Sequence, residues 1–202
     1  MHKKSLFAII LSMSLILGLS ACDNGKEPAP TDSQPEPTVS DTPSTETPET
    51  KYMLVDTEEY SLTFDMLGTW VEYAGNSEIR ESAQAVLTSS SETANDSVFF
   101  YVLINKYDDT SEETLKDKIV ENIKAKFSSV EFESITDSSS DNQIVTSIYT
   151  MSQDNTTIKN YQYTVIQDGY QISFIYSAPT LIYNNQKGYI KDMIDSFEFS
   201  LK

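Results

Sequence analysis

The sequence predicts an α+β domain, an antiparallel sheet packed by helices. Three observations carry that prediction. Strand-like segments follow one another through much of the chain with no helix between them. The dipeptide Asp168-Gly169 signals a tight hairpin. Two helical stripes stand well apart, one near the middle of the chain and one near its end.

The elements follow in order. Tyr60, Leu62, Phe64 and Met66 alternate with Ser61, Thr63 and Asp65, the period of a strand with one wet face. Gln84 to Thr88 reads as a second, weaker strand. Val98 to Ile104 is apolar almost throughout, as in a central strand covered on both sides. A helix then opens at a capping box of Thr110 and Glu113 and buries Leu115, Ile119, Ile123 and Phe127, which recur every four residues. Val130–Ile135 and Gln143–Met151 read as strands. At Asp168-Gly169 a two-residue turn of type I′ pairs Gln167 with Tyr170. Val165 must then face Ile172, Tyr163 face Phe174, and Tyr161 face Tyr176, all on one side of the hairpin. Pro179 ends that hairpin, and a closing helix is expected from about Leu181 to Ser196. Its apolar set is Ile182, Tyr189, Ile190, Met193, Ile194 and Phe197.

Residues 1–21 have the parts of a secretory signal. His2, Lys3 and Lys4 form a basic start, and an apolar stretch runs from Leu6 to Leu19. At about 14 residues it is shorter than the roughly 20 a membrane helix needs. Leu19-Ser20-Ala21-Cys22 closes the segment and resembles the lipobox of bacterial lipoproteins, where cleavage precedes a cysteine that receives diacylglycerol. Cys22 is the single cysteine of 202 residues. The resemblance implies a lipid anchor at Cys22 and a domain on the extracytoplasmic side of a cell membrane. Residues 22–51 then read as the lipidated cysteine and a disordered tether. Six of the seven prolines lie there, among Thr, Ser, Glu and Asp, and such a composition buries too little surface to offset its ordering entropy. Residues 52–202 remain for one globular domain, a size that forms a core without staples.

Loss of Lys3 and Lys4 with the signal leaves 12 basic residues against 31 acidic ones, taking the net charge from −17 to −19. Such a surface argues against nucleic acid, whose phosphates demand Lys and Arg. It also argues against docking on anionic head groups other than through the anchor.

The domain resembles the PsbP-like family over most of residues 58–200. Tyr60-Ser-Leu-Thr-Phe64 followed by Trp70 is similar to that family's opening strand and tryptophan, although Leu67-Gly68-Thr69 stands where a proline is usual. Thr114-Leu115 is similar to the start of its middle helix. Tyr161-Gln-Tyr163 through Gly169-Tyr170 matches its hairpin, and Ile194-Asp-Ser-Phe197-Glu-Phe199 its closing segment. The resemblance implies an α/β/α sandwich and non-catalytic binding or assembly roles. It brings no catalytic residue and no cofactor.

The inventory of reactive groups agrees with a domain that is not an enzyme. On the lipobox reading His2 leaves with the signal and Cys22 carries the lipid, so Ser-His-Asp and Cys-His catalysis and His/Cys zinc sites would have no material. Arg80 is the only arginine. Asp108, Asp109, Glu112 and Glu113 suit a charged helix start better than a cation site. Asp137, Asp141 and Asn142 lack the spacing and glycine of a calcium loop. The aromatic residues give the candidate surface. Tyr161, Tyr163, Tyr170 and Tyr176 have the chemistry to line a groove for a sugar or peptide, with sheet packing as the plainer reading. Trp70 is read as a plug at the end of the core, with a partner anchor as the alternative. The function expected is a membrane-anchored, non-catalytic module for a protein partner of the cell envelope. The alternative is a receptor for a small ligand (sugar, peptide or cation).

Overall fold

The computed structural model describes residues 50–90, 97–108, 113–138, 144–153 and 156–202. The strands are β1 (Thr50–Asp56), β2 (Tyr60–Leu67), β3 (Trp70–Glu72), β4 (Ala85–Ser89), β5 (Phe99–Lys106), β6 (Val130–Asp137), β7 (Ile144–Gln153), β8 (Thr156–Gln167), β9 (Tyr170–Pro179) and β10 (Glu198–Leu201). The helices are α1 (Ser77–Glu81), α2 (Leu115–Lys126) and α3 (Thr180–Asp195). They form a three-stranded sheet of order β1-β2-β10 and a seven-stranded sheet of order β3-β4-β5-β9-β8-β7-β6. Every pairing is antiparallel, so the α+β class read from the sequence holds.

The expected hairpin is present in the expected register. Asp168 and Gly169 both have positive φ, 51° and 78°, as a type I′ turn requires. Gln167 faces Tyr170, Val165 faces Ile172, Tyr163 faces Phe174 and Tyr161 faces Tyr176. On the opposite side of the hairpin, Thr164 and Ser173 share a buried hydroxyl–hydroxyl hydrogen bond of 2.9 Å. Gly169 is the residue the turn cannot give up, since an L side chain at that φ is strained. Gly169→Ala is expected to cost about 1–2 kcal/mol, measured by urea unfolding, with no change in the pairing of β8 and β9.

The alternation read over Tyr60–Met66 places Tyr60, Leu62, Phe64 and Met66 in the core. They meet Phe100, Val102 and Ile104 of β5, Ile172, Phe174 and Tyr176 of β9, and Tyr183, Ile190, Met193 and Ile194 of α3 in one cluster. The other face of the large sheet carries a smaller cluster, in which Leu115, Ile119 and Ile123 of α2 cover Val145 and Tyr149 of β7. Helix α3 and the small sheet thus lie on one face of the seven strands and α2 on the other.

Three details correct the reading by sequence. The cap of α2 is Thr114, whose hydroxyl accepts from the Asp117 N–H at 3.2 Å and donates to the Asp117 carboxylate at 2.7 Å. The helix therefore begins after Glu113, and Thr110 lies outside the described residues. In α3, Tyr189 is 47% exposed while Tyr183 is buried. Tyr183 lies seven residues before Ile190 and shares its face, whereas Tyr189 is turned about 100° from that face. Finally, β1, β3, α1 and β10 were absent from the expected order. Three of them are five residues or fewer, too short for periodicity to register.

Candidate functional site

The five aromatic residues singled out from the sequence separate into three environments. Trp70 opens β3 with its side chain fully buried, edge-on to Phe100 at 6.3 Å and to Tyr176 at 6.4 Å. Tyr176 is also fully enclosed, and its hydroxyl donates to the Tyr183 carbonyl at 3.2 Å. Neither ring reaches the surface, so the suggestion that they contact a ligand or partner gives way to core packing. Trp70 is the plug of the core.

Tyr170 belongs to a latch between the two sheets. Its ring packs on Tyr60 at 5.2 Å and on Phe199 at 5.5 Å. Its hydroxyl donates to Glu59 Oε2 at 2.9 Å, while Lys106 Nζ donates to Glu59 Oε1 at 2.7 Å. Glu59 is held below the usual carboxylate range, first by the Lys106 hydrogen bond and then by that of Tyr170. The ring contacts and this shared carboxylate account for Tyr170 without a ligand.

Tyr161 and Tyr163 remain half-buried on β8, on the face that α3 covers. Tyr161 lines a depression of about 310 Å³ with Asn184, Lys187, Gly188 and Lys191 of α3. Those four residues recur at the spacing of one helix face, a flank of α3 about 100° around from Tyr183 and Ile190. A methyl group at Gly188 would meet nothing within 4 Å, so the depression is open there. Sequence reading found the two tyrosines and missed the helix face. The one sign of it was a glycine within a helical segment, which packing does not require.

The chemistry of this depression is limited. Burial raises the Tyr161 phenol, with Lys191 and a hydrogen bond to Thr146 pulling the other way, and burial likewise raises Tyr163. Lys191 is raised by its hydrogen bond to Asp195. None of these shifts brings a proton donor or acceptor toward neutrality, where general acid–base catalysis is efficient. The site can stack, hydrogen-bond and attract charge. Among the described residues no group of three or more His, Cys, Asp or Glu converges to hold a metal. Asp109, Glu112, Asp141 and Asn142 lie outside the described residues.

No protein-family model matches the sequence, and no curated protein is similar to it in sequence. Solved structures are similar in fold. Cyanobacterial PsbP (CyanoP) from Synechocystis superposes with a TM-score of 0.56 at 17% identity, over 78% of this chain and 96% of that one. LpqN of Mycobacterium tuberculosis, involved in cell envelope biogenesis, gives 0.53 at 9% identity, over 75% and 91%. The Ran-binding protein Mog1p of Saccharomyces cerevisiae gives 0.52 at 11% identity, over 75% and 96%. At these identities the likeness is one of fold, and the fold is PsbP-like.

Proposed function

We propose that the chain is an extracytoplasmic lipoprotein, anchored through Cys22, whose domain binds a protein partner of the cell envelope and catalyses no reaction. One observation carries the protein-binding part. Tyr52 and Leu54 stand 66% and 52% exposed, two residues apart on an edge strand, where the sequence joins the domain to its tether. Large apolar side chains held together in water on a strand edge mark a contact surface. The names of two fold neighbours point the same way, one a Ran-binding protein and the other a protein of cell envelope biogenesis. No described helix is long and apolar enough to cross a membrane, so the anchoring part rests on the signal sequence and Cys22.

A second reading has its own observation. The Tyr161 depression, about 310 Å³, lies at the lower end of the range for small-ligand sites. Crosslinking the intact lipoprotein in its native membrane, beside a thermal-shift screen of sugars, short peptides and metal ions, separates the two. The protein-binding reading expects a crosslinked protein whose association slows as salt screens the acidic surface. A reproducible shift of several degrees with one small ligand, and no crosslinked protein, replaces it with the receptor.

A further inference from the structure

We infer that the outer edge of β1 is the docking strand for an extended, basic segment of a partner protein. The inference rests on the protein-binding reading and names the place and chemistry of the contact.

The backbone comes first. Thr57 N–H donates to the Tyr60 carbonyl at 3.0 Å, which makes the pair closing the β1–β2 turn a hydrogen-bonded one. Antiparallel alternation then makes Val55–Leu62 and Met53–Phe64 the bonded pairs. The N–H and C=O groups of Tyr52, Leu54 and Asp56 are therefore turned away from β2. Asp65, opposite Tyr52, obeys the same alternation, its N–H donating to Ser196 Oγ at 2.9 Å on the side away from β1. No described strand lies along the outer edge of β1.

Edge strands are usually blunted by charge, proline or a bulge. The far edge of the large sheet follows that rule. Strand β6 carries Glu131, Glu133 and Asp137, and its register breaks between Phe132 and Ser134. Strand β1 has charge only near its two ends, at Lys51 and at Asp56, which pairs with Lys202; its middle, Tyr52-Met53-Leu54-Val55, contains neither charge nor proline and pairs without interruption. The residues whose backbone groups point outward are also those whose side chains stand in water, Tyr52 and Leu54. A segment adding to this edge would gain main-chain hydrogen bonds and two apolar contacts together.

Charge identifies the occupant. On the exposed face, Asp65 stands beside Tyr52, and Glu198 stands across Thr63 from Leu54. A second copy would bring these carboxylates, and another chain of the same strongly acidic balance, against the first. An extended segment alternating apolar and basic residues meets both the apolar pair and the carboxylates.

The test uses the full-length protein in detergent and an acetylated, amidated heptapeptide alternating Lys and Val, with its Glu-Val counterpart as control. The basic peptide should slow hydrogen exchange at the Tyr52, Leu54 and Asp56 amides, and the acidic one should not. Leu54→Pro removes an outward N–H while sparing the β1–β2 ladder, and Leu54→Lys keeps the strand but repels the peptide. Each should weaken binding about tenfold or more, roughly 1.4 kcal/mol. Equal protection by the acidic peptide overturns the charge assignment. Protection of β1 that rises with protein concentration and needs no peptide makes a second copy the occupant. If crosslinking recovers a partner whose binding both variants leave intact, the protein-binding reading stands and the β1 edge falls. If crosslinking recovers none, the reading beneath it falls.

Discussion

Cys22→Ser is expected to move the protein out of the membrane fraction completely, into the medium or soluble envelope, or to leave it as uncleaved precursor. The expected effect on the cleaved protein is all or none because, on the lipoprotein reading, the acyl chains on Cys22 are its anchor. One buried acyl chain holds a protein only marginally, while two hold it stably. On the proposed lipoprotein reading, a diacylated Cys22 is thus the difference between bound and free. The acidic balance of the full sequence, 31 acidic residues against 14 basic ones, disfavours binding to anionic head groups. Among the described residues no helix offers a second means of insertion. Fractionation followed by intact-mass measurement checks both halves of the claim. A mature wild-type protein carrying an unmodified Cys22 ends the lipoprotein reading. A Cys22→Ser protein that is cleaved and still stays in the membrane shows that another segment holds it.

How much of this was legible depends on what each feature needs in order to be seen. The β8–β9 hairpin needs only local information. Asp168-Gly169 sets the turn, and period-two alternation sets everything behind it, so the pairing of Tyr163 with Phe174 could be written from the sequence. Helix α2 was visible through its stripe, but its start was displaced by four residues because two acceptable caps, Thr110 and Thr114, stand one turn apart. Strand β1 was hidden by its neighbourhood, since Thr50 and Lys51 continue the composition of the tether while already pairing with Leu67 and Met66.

The site was harder to read than the fold. Tyr161, Tyr163 and Tyr176 lie on one face of the same hairpin, yet Tyr176 is enclosed and the other two are half-exposed. What separates them is tertiary: the ring of Tyr183 of α3 packs at a tilt against Tyr176 at 5.2 Å, a contact no local pattern encodes. The apolar edge at Tyr52 and Leu54 was likewise invisible, because exposure of an apolar residue depends on what the fold leaves uncovered.

The same hairpin supplies the largest expected loss of stability. Phe174 is fully buried at the meeting point of both sheets and α3. Its ring lies 6.2 Å from Phe64 of β2, 6.0 Å from Phe100 of β5 and 5.1 Å from Phe197, just beyond α3. Phe174→Ala removes a contact from each of these at once, and neighbours held in three different elements cannot collapse together into the space. The expected cost is about 3–5 kcal/mol, a large share of the roughly 5–15 kcal/mol that holds a domain of this kind together. At about 2–4 °C per kcal/mol, the melting point should fall by roughly 6–20 °C. Tyr163 is the internal control, since it faces Phe174 across the hairpin at 6.4 Å but is only half-buried. Tyr163→Ala should cost no more than about 2 kcal/mol, because part of its surface is already in water. Equilibrium urea unfolding of both variants decides the matter. A Phe174→Ala cost below about 1 kcal/mol, or a Tyr163→Ala cost larger than that of Phe174→Ala, would mean that the core is not centred where β9 meets the small sheet.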